Sequence, residues 1–116
     1  MKDNTRLIPF KKEFERIKAM LKNANLIITA RNKGELIGVA RSLTDFAYCT
    51  YLSDLAVDIE YQKQGIGKEL IRLTKKETPK AKVILLAAPK AVHYYPHIGM
   101  TKHNACFLLT DEKDLK

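Results

Sequence analysis

A chain of 116 residues, 46% of them hydrophobic and spread along its length, suits one compact domain and leaves little room for a second. Lysine and arginine number 21 against 13 acidic residues, a net charge of +8, which favours an anionic partner such as nucleic acid, membrane headgroups or a phosphorylated small molecule. The cations are scattered in pairs (Lys11/Lys12, Lys75/Lys76, Lys80/Lys82) rather than gathered in a block, which argues against nucleic acid. No apolar run approaches the ~18 residues of a membrane span, and no apolar stretch follows Met1–Arg6 as a signal peptide requires. The expectation is a soluble, cytoplasmic protein that binds neither nucleic acid nor membrane.

Pro9 suits the first turn of a helix, where its missing N–H costs nothing. Phe10, Phe14, Ile17 and Leu21 then recur at helical spacing, predicting an amphipathic helix over 9–22. Leu26–Ala30 is short and β-branched. Asn32-Lys33-Gly34 is a turn signal, and Glu35–Leu43 completes a hairpin. After a polar break at Thr44-Asp45 comes a longer strand, Tyr48–Asp58, with Leu55 and Val57 on one face and Asp54, Ala56 and Asp58 on the other. A helix follows Gly67, with Ile66, Leu70 and Leu73 on its apolar face and Pro79 as its stop. The continuous apolar run Lys82–Ala88 is expected of a strand buried on both faces. A short helix is predicted from Pro89 to His97, closed by Gly99, and a last strand over Ala105–Thr110.

This order, with a strand–helix–strand crossover after a hairpin, predicts an α/β fold: a central mixed sheet flanked by helices. Cys49 and Cys106 stand far apart and outside any C-x-x-C pair, so neither a zinc site nor a disulfide framework is indicated and buried free thiols are expected. His93 and His97 have a chelating i, i+4 spacing, but Pro96 intervenes and no third ligand accompanies them. No metal is expected.

The chemistry concentrates at the junction after the long strand. Gly65 and Gly67 remove side chains where a helix begins, and the first N–H groups of a helix lack internal partners and carry positive dipole charge. Such a turn lets a phosphate approach the backbone, with donors and charge from Gln62, Lys63, Gln64 and Lys68 around it. The same two glycines also fit a plain glycine-rich turn.

Leu55-Ala56-Val57-Asp58 followed by Tyr61-Gln62-Lys63-Gln64-Gly65-Ile66-Gly67-Lys68 resembles the acetyl-CoA motif of the GNAT N-acetyltransferase family, (Arg/Gln)-x-x-Gly-x-(Gly/Ala), through Gln62, Gly65 and Gly67. His93-Tyr94-Tyr95-Pro96-His97-Ile98-Gly99-Met100 resembles the family's aromatic-Tyr-x-x-x-Gly-Phe segment, with Met100 in place of Phe. The resemblance implies an acyl-CoA N-acyltransferase-like fold and transfer of an acetyl group from acetyl-CoA to a primary amine of a small molecule or peptide. It implies that backbone groups of Leu55, Ala56 and Val57 pair with the pantetheine arm. The amides from Gln64 through Ile66 and Gly67 to Lys68 would hold the pyrophosphate, and the strands Tyr48–Asp58 and Lys82–Ala88 would splay to admit the thioester. Tyr95, four residues before Gly99, takes the place of the family's general acid, with Tyr94 as the neighbouring alternative, its ring expected in the core. Asp54 is a candidate base beside a water relay, and Lys90 a candidate phosphate contact where members carry Asn near Ala88-Pro89. The alternative is a non-catalytic acetyl-CoA-binding or assembly module of the same fold. Members begin with a strand and helix that Met1–Ile8 is too short to supply, so the resemblance implies a fold truncated at the N-terminus. Leu26–Ala30 then becomes a sheet edge, and a homodimer is expected to cover it. Thr5–Ile8 as a stub strand, or an exchanged C-terminal strand, are the competing remedies.

Overall fold

The turn at Asn32–Glu35 bends the chain back on itself with Lys33 and Gly34 both at positive φ (51° and 84°), the backbone twist that joins antiparallel strands in two residues. In the computed structural model, which describes residues 10–116, this turn links β1 (Leu26–Asn32) to β2 (Glu35–Thr44). Helix α1 (Phe10–Asn23) precedes them. Strand β3 (Cys49–Val57), helix α2 (Ile66–Glu77), strand β4 (Lys82–Ile84) and helix α3 (Tyr94–His97) follow, with short 3-10 turns at Ile59–Tyr61, Pro89–Ala91 and Glu112–Asp114. Pro9 and Thr5–Ile8 lie outside the described residues.

The sheet order is β1-β2-β3-β4, with the first two pairings antiparallel and β3–β4 parallel. This is the expected mixed α/β sheet with flanking helices. Helix α2 packs across all four strands. Its Leu70 and Ile71 join Ala40, Leu52, Leu55, Val57, Ala91 and Tyr95 in the core, where each buried Leu, Ile or Val side chain contributes roughly 1.5–3 kcal/mol. Gly38 lies close under this packing: a Cβ there would stand 3.2 Å from Leu70 Cδ1 and 3.4 Å from the Ala56 carbonyl oxygen, so Leu70 would have to give by a few tenths of an ångström. On the opposite face Arg41 Nη1 donates to the Met20 carbonyl at 3.0 Å and anchors the end of α1.

Helix α2 closes through polar contacts rather than a glycine. Thr74 and Thr78, both fully buried, donate their hydroxyls to carbonyls one turn earlier, at 2.8 and 2.9 Å. Lys75 Nζ donates to the Ala81 carbonyl at 2.6 Å.

Three expectations are corrected. The run Lys82–Ala88 forms a strand only over Lys82–Ile84, and Lys82, Ile84 and Leu86 are exposed, because among the described residues no strand pairs with its outer edge. The span from Pro89 to His97 is two turns, a 3-10 piece and α3, rather than one helix. Ala105–Thr110 is not a strand: its residues are exposed and pair with none of the sheet, since apolar strand-forming composition stabilises nothing until an edge receives it. Cys106 lies in that segment and is exposed, while Cys49 is half-buried, so the buried-thiol expectation fails for Cys106. No helix among the described residues is long and apolar enough to cross a membrane.

Candidate functional site

Strand β3 is nine residues long but pairs with β4 over only its first three, Cys49–Lys82, Thr50–Val83 and Tyr51–Ile84. Beyond Tyr51 the two chains part, and Leu52–Val57 keeps β2 on one side only. The predicted splay is present. It leaves alternate N–H and C=O groups of β3 without a ladder partner among the described residues, an edge on which an extended amide-bearing chain can pair. A β-bulge marks the same place: Arg41 faces Asp54 while Ser42 faces Leu52, so Ser53 is the extra residue.

The open edge leads to the turn Asp58–Gly65. Asp58 caps the 3-10 turn by accepting from the Glu60 amide at 2.9 Å. Gln62 Nε2 donates to the Val57 carbonyl at 3.0 Å, tying the turn to the last residue of β3. Lys63 and Gly65 adopt left-handed conformations, φ 66° and 83°, which turn successive amides toward one side. Gly65 is the N-cap of α2 and offers no side chain, so no cap satisfies the first amides of the helix. The intrahelical ladder begins with Glu69 N–H to the Gly65 carbonyl at 3.0 Å. Nothing lies within 4 Å of where a Gly65 Cβ would stand. The amides of Ile66, Gly67 and Lys68 therefore face open space with the helix dipole behind them, the arrangement that binds phosphate.

A cleft of about 200 Å³ sits here. Its lining comes from the end of β3 (Val57), the turn after it (Tyr61, Gln62, Lys63, Gly65), the start of α2 (Ile66, Gly67, Lys68), and α3 with the residue after it (Tyr94, His97, Ile98). Tyr61 is held by Asn32, whose Nδ2 donates to its hydroxyl oxygen at 2.9 Å. Of the predicted cofactor residues, Val57, Gln62, Lys63, Gly65, Ile66, Gly67 and Lys68 meet at this cleft, Leu55 lies in the core beneath, and Ala56 is half-buried on the open strand. Gln64 is exposed and outside the lining. Lys90 is likewise exposed on its own 3-10 turn away from the cleft, so the structure does not bring it to the predicted phosphate site.

Tyr95 is 5% exposed and packed in the core cluster with Leu52, Leu55 and Val57 of the splayed strand. Its hydroxyl is buried without a hydrogen-bond partner among the described residues. Burial, and secondarily the neighbouring Tyr94, push the phenol up to about 12. A buried O–H left unpaired costs roughly 1–3 kcal/mol, so the position calls for an explanation beyond packing. Tyr94 is not the core ring of the pair. It is half-buried, lines the cleft, and meets Tyr95 edge-on with centroids 5.2 Å apart.

Asp54 lies on the face opposite Leu55, as its strand position predicts, but its carboxylate is occupied. Arg41 Nε donates to Asp54 Oδ2 at 2.6 Å, and Arg41 Nη2 donates to Ser53 Oγ at 2.8 Å. Arg41 is itself buried and reaches Met20 as well, so this network binds strand, bulge and helix together.

Sequence reasoning missed Tyr61, His97 and Ile98 as cleft residues. His97 carries a sequence signal only as the i, i+4 partner of His93, a spacing that says nothing about a cleft. Ser42 Oγ, a second buried orphan, has no sequence signal at all.

Residues 6–108 match the family described as the acetyltransferase (GNAT) domain. An uncharacterised N-acetyltransferase, ycf52, of Pyropia yezoensis is 27% identical over 99 residues, which cover 79% of this chain and 57% of that protein. The chain spans about half the length of the curated relatives it matches. The solved structure of a candidate acetyltransferase from Deinococcus radiodurans superposes with a TM-score of 0.68 at 28% identity, over 82% of this chain and 68% of that one. A GNAT family acetyltransferase from Elizabethkingia anophelis, solved with acetyl-CoA bound, shares the fold with a TM-score of 0.57 at 23% identity, over 79% and 66% of the two chains.

Proposed function

The chain belongs to the GNAT acetyltransferase family, and on that premise we propose that it transfers an acetyl group from acetyl-coenzyme A to a primary amine. The observation that carries the reading is one continuous track. The open edge of β3 ends, through the Gln62–Val57 tie, at the uncapped amides of α2. The residues fit the cofactor on two counts besides shape: a glycine cradle with nothing where its Cβ would stand, and an orphaned buried hydroxyl beneath the same strand.

Acetyl-CoA supplies an activated thioester whose sulfur leaves as a thiol. The chain supplies the rest. The amides of Ile66, Gly67 and Lys68, with the charges of Lys63 and Lys68, hold a pyrophosphate. Backbone groups of Leu55–Val57 align an extended arm by strand pairing. Tyr95 Oη, still protonated far above neutral pH, keeps a proton available for the departing sulfur, and a positioned acid contributes ~10²–10⁴ in rate. Holding both reactants in the gap provides the larger share through proximity. Asp54, engaged by Arg41, positions the bulged strand; an acceptor that enters as the free amine gives up one N–H proton to water after attack, and the phenolate left when Tyr95 protonates the sulfur regains its proton from solvent. The acceptor is a small-molecule or peptide amine, met in the cytoplasm.

The test is thiol release from acetyl-CoA across an amine panel, with a parallel thermal shift in CoA. Turnover on any amine supports the transferase. A thermal shift without turnover on the whole panel would mean a binding module, and neither would remove the function altogether.

A further inference from the structure

The hairpin of β1 and β2 reaches the cleft through a single side chain. Asn32 is the last residue of β1 and pairs with Glu35 across the two-residue turn. Positive φ at Lys33 and Gly34 sets that turn, and Arg31 Nη1 braces it by donating to the Gly34 carbonyl at 3.2 Å. From this tip Asn32 Nδ2 donates to Tyr61 Oη at 2.9 Å, across 29 residues of sequence. Tyr61 is fixed from its own side as well. Its amide donates to the Asp58 carbonyl at 2.8 Å, and its half-buried ring packs against the core.

A phenol has one O–H proton and two acceptor lone pairs. Asn32 occupies a lone pair, so the proton is directed away from Asn32, and among the described residues no group accepts it. The ring lines the same cleft as Lys63, Lys68 and the open α2 amides. Gln62, the neighbouring polar side chain, is committed to the Val57 carbonyl, and His97 enters the lining from α3.

We propose that Tyr61 donates its hydroxyl to the pyrophosphate of the cofactor, and that Asn32 is the positioning residue that keeps this proton on the cleft. The inference rests on the acetyl-CoA reading above and adds to it a donor that carries no charge and an orienter that lies outside the glycine motif. An O–H donated to an anionic oxygen is short and strong. Donation from Asn32 into the same oxygen polarises the O–H further, and a hydroxyl already oriented loses little freedom when the ligand arrives.

The test is titration calorimetry of the full chain with CoA and, separately, with inorganic pyrophosphate. Tyr61→Phe keeps the ring and deletes the donor, and both affinities are expected to fall about tenfold or more. Asn32→Asp puts an acceptor where a donor stood, so the Tyr61 proton turns to the new carboxylate and leaves the cleft. Its expected loss is as large as that of Tyr61→Phe. The added negative charge repels phosphate on its own account, and the double variant separates the two effects. With the hydroxyl already gone, Asn32→Asp is expected to cost little more. An equal further loss in both backgrounds would mean repulsion alone and would overturn the role of Asn32. A Tyr61→Phe affinity within about twofold of the unaltered chain, or a loss seen with CoA and not with pyrophosphate, would overturn the phosphate contact while leaving the acetyl-CoA reading in place. An unaltered chain that binds neither probe would overturn that reading and this inference together.

Discussion

Gln62 reaches back from the phosphate turn and donates its side-chain amide to the carbonyl of Val57, 3.0 Å away and five residues earlier. The first residue of the recognised motif therefore works on the protein rather than on the ligand: it locks the turn to the strand end that the cofactor arm would follow. Gln62→Ala removes one half-buried hydrogen bond, worth about 1 kcal/mol. The expected result is a five- to tenfold weaker CoA affinity by titration calorimetry, with melting temperature changed by only a few degrees. Unaltered affinity would show that Lys63 and Gly65 hold the turn without it.

Gly65 combines a left-handed backbone, φ 83°, with empty space where a Cβ would stand. An L-residue there carries roughly 1–2 kcal/mol of backbone strain, and its side chain projects into the approach to the α2 amides. Gly65→Val is expected to leave a folded protein with CoA binding abolished, since no neighbour blocks the side chain within the domain itself. Calorimetric affinity within threefold of wild type would mean that the pyrophosphate is held elsewhere.

Tyr95 is expected to show opposite effects on activity and stability. Tyr95→Phe keeps the ring in the core and deletes the orphaned hydroxyl, so the melting temperature should hold or rise by an amount equivalent to about 1 kcal/mol. Turnover should fall ~10²–10⁴ with acetyl-CoA affinity nearly unchanged. Tyr94→Phe is the control. The pH dependence follows from the direction of the shift. Burial raises the native phenol to about 12 while an unfolded tyrosine titrates near 10. Above pH ~10 the unfolded chain loses a proton that the native state keeps, so stability present at neutral pH declines as pH climbs toward 12. Alkaline unfolding followed by circular dichroism should be shifted to higher pH in Tyr95→Phe, and equal midpoints would deny the hydroxyl its buried, unpaired state.

The turn, the hairpin and α2 were legible because local chemistry decides them: positive φ at Lys33–Gly34, a stripped helix start at Gly65, an apolar stripe ended by Pro79. The sheet's outer side was not. Lys82–Ala88 and Ala105–Thr110 have the composition of strands, but whether a strand forms depends on what lies beside it, and composition does not contain the neighbour. The site divides along the same line. Gln62, Gly65 and Gly67 could be recognised as a contiguous motif. Tyr61, Tyr94 and His97 became cleft residues only when the 3-10 turn after β3 and helix α3 were brought face to face. Asp54 had the right face, but its partner was not legible: Arg41, thirteen residues earlier, faces it across a register that Ser53 shifts by bulging.

That pairing yields a prediction opposite to a base's. Arg41 and Asp54 are both shielded from solvent, with side chains 7% and 16% exposed. Removing one partner strands the other, at a cost of roughly 3 kcal/mol for a well-buried pair. Asp54→Ala should lower the denaturation midpoint accordingly, and Arg41→Met combined with Asp54→Leu should recover most of the loss. Measured below its melting temperature, Asp54→Asn should turn over within a few-fold of wild type. A drop of a hundredfold or more in turnover with stability intact would make Asp54 a proton acceptor after all.

Asp45 offers an acid-side test in the loop between β2 and β3. Its Oδ1 accepts from the amides of Ala47 at 2.9 Å, Tyr48 at 2.8 Å and Cys49 at 3.1 Å. These bonds, led by Tyr48, lower its carboxyl from 3.8 to about 2. Phe46, at φ 59° inside the loop, keeps its amide on Thr44 Oγ1. The sign follows directly: a depressed native value means the unfolded state takes up a proton first, so the stabilisation is complete above pH ~4 and disappears as pH falls toward 2. Asp45→Asn keeps an oxygen acceptor but loses the charge that strengthens the three bonds. The gap in melting temperature between wild type and Asp45→Asn should therefore stay constant from pH 8 to pH 5 and close between pH 4 and 2. A gap that persists unchanged at pH 2 would mean that the carboxylate's charge contributes nothing to the loop, and that its geometry alone keeps the start of β3 in register with β2.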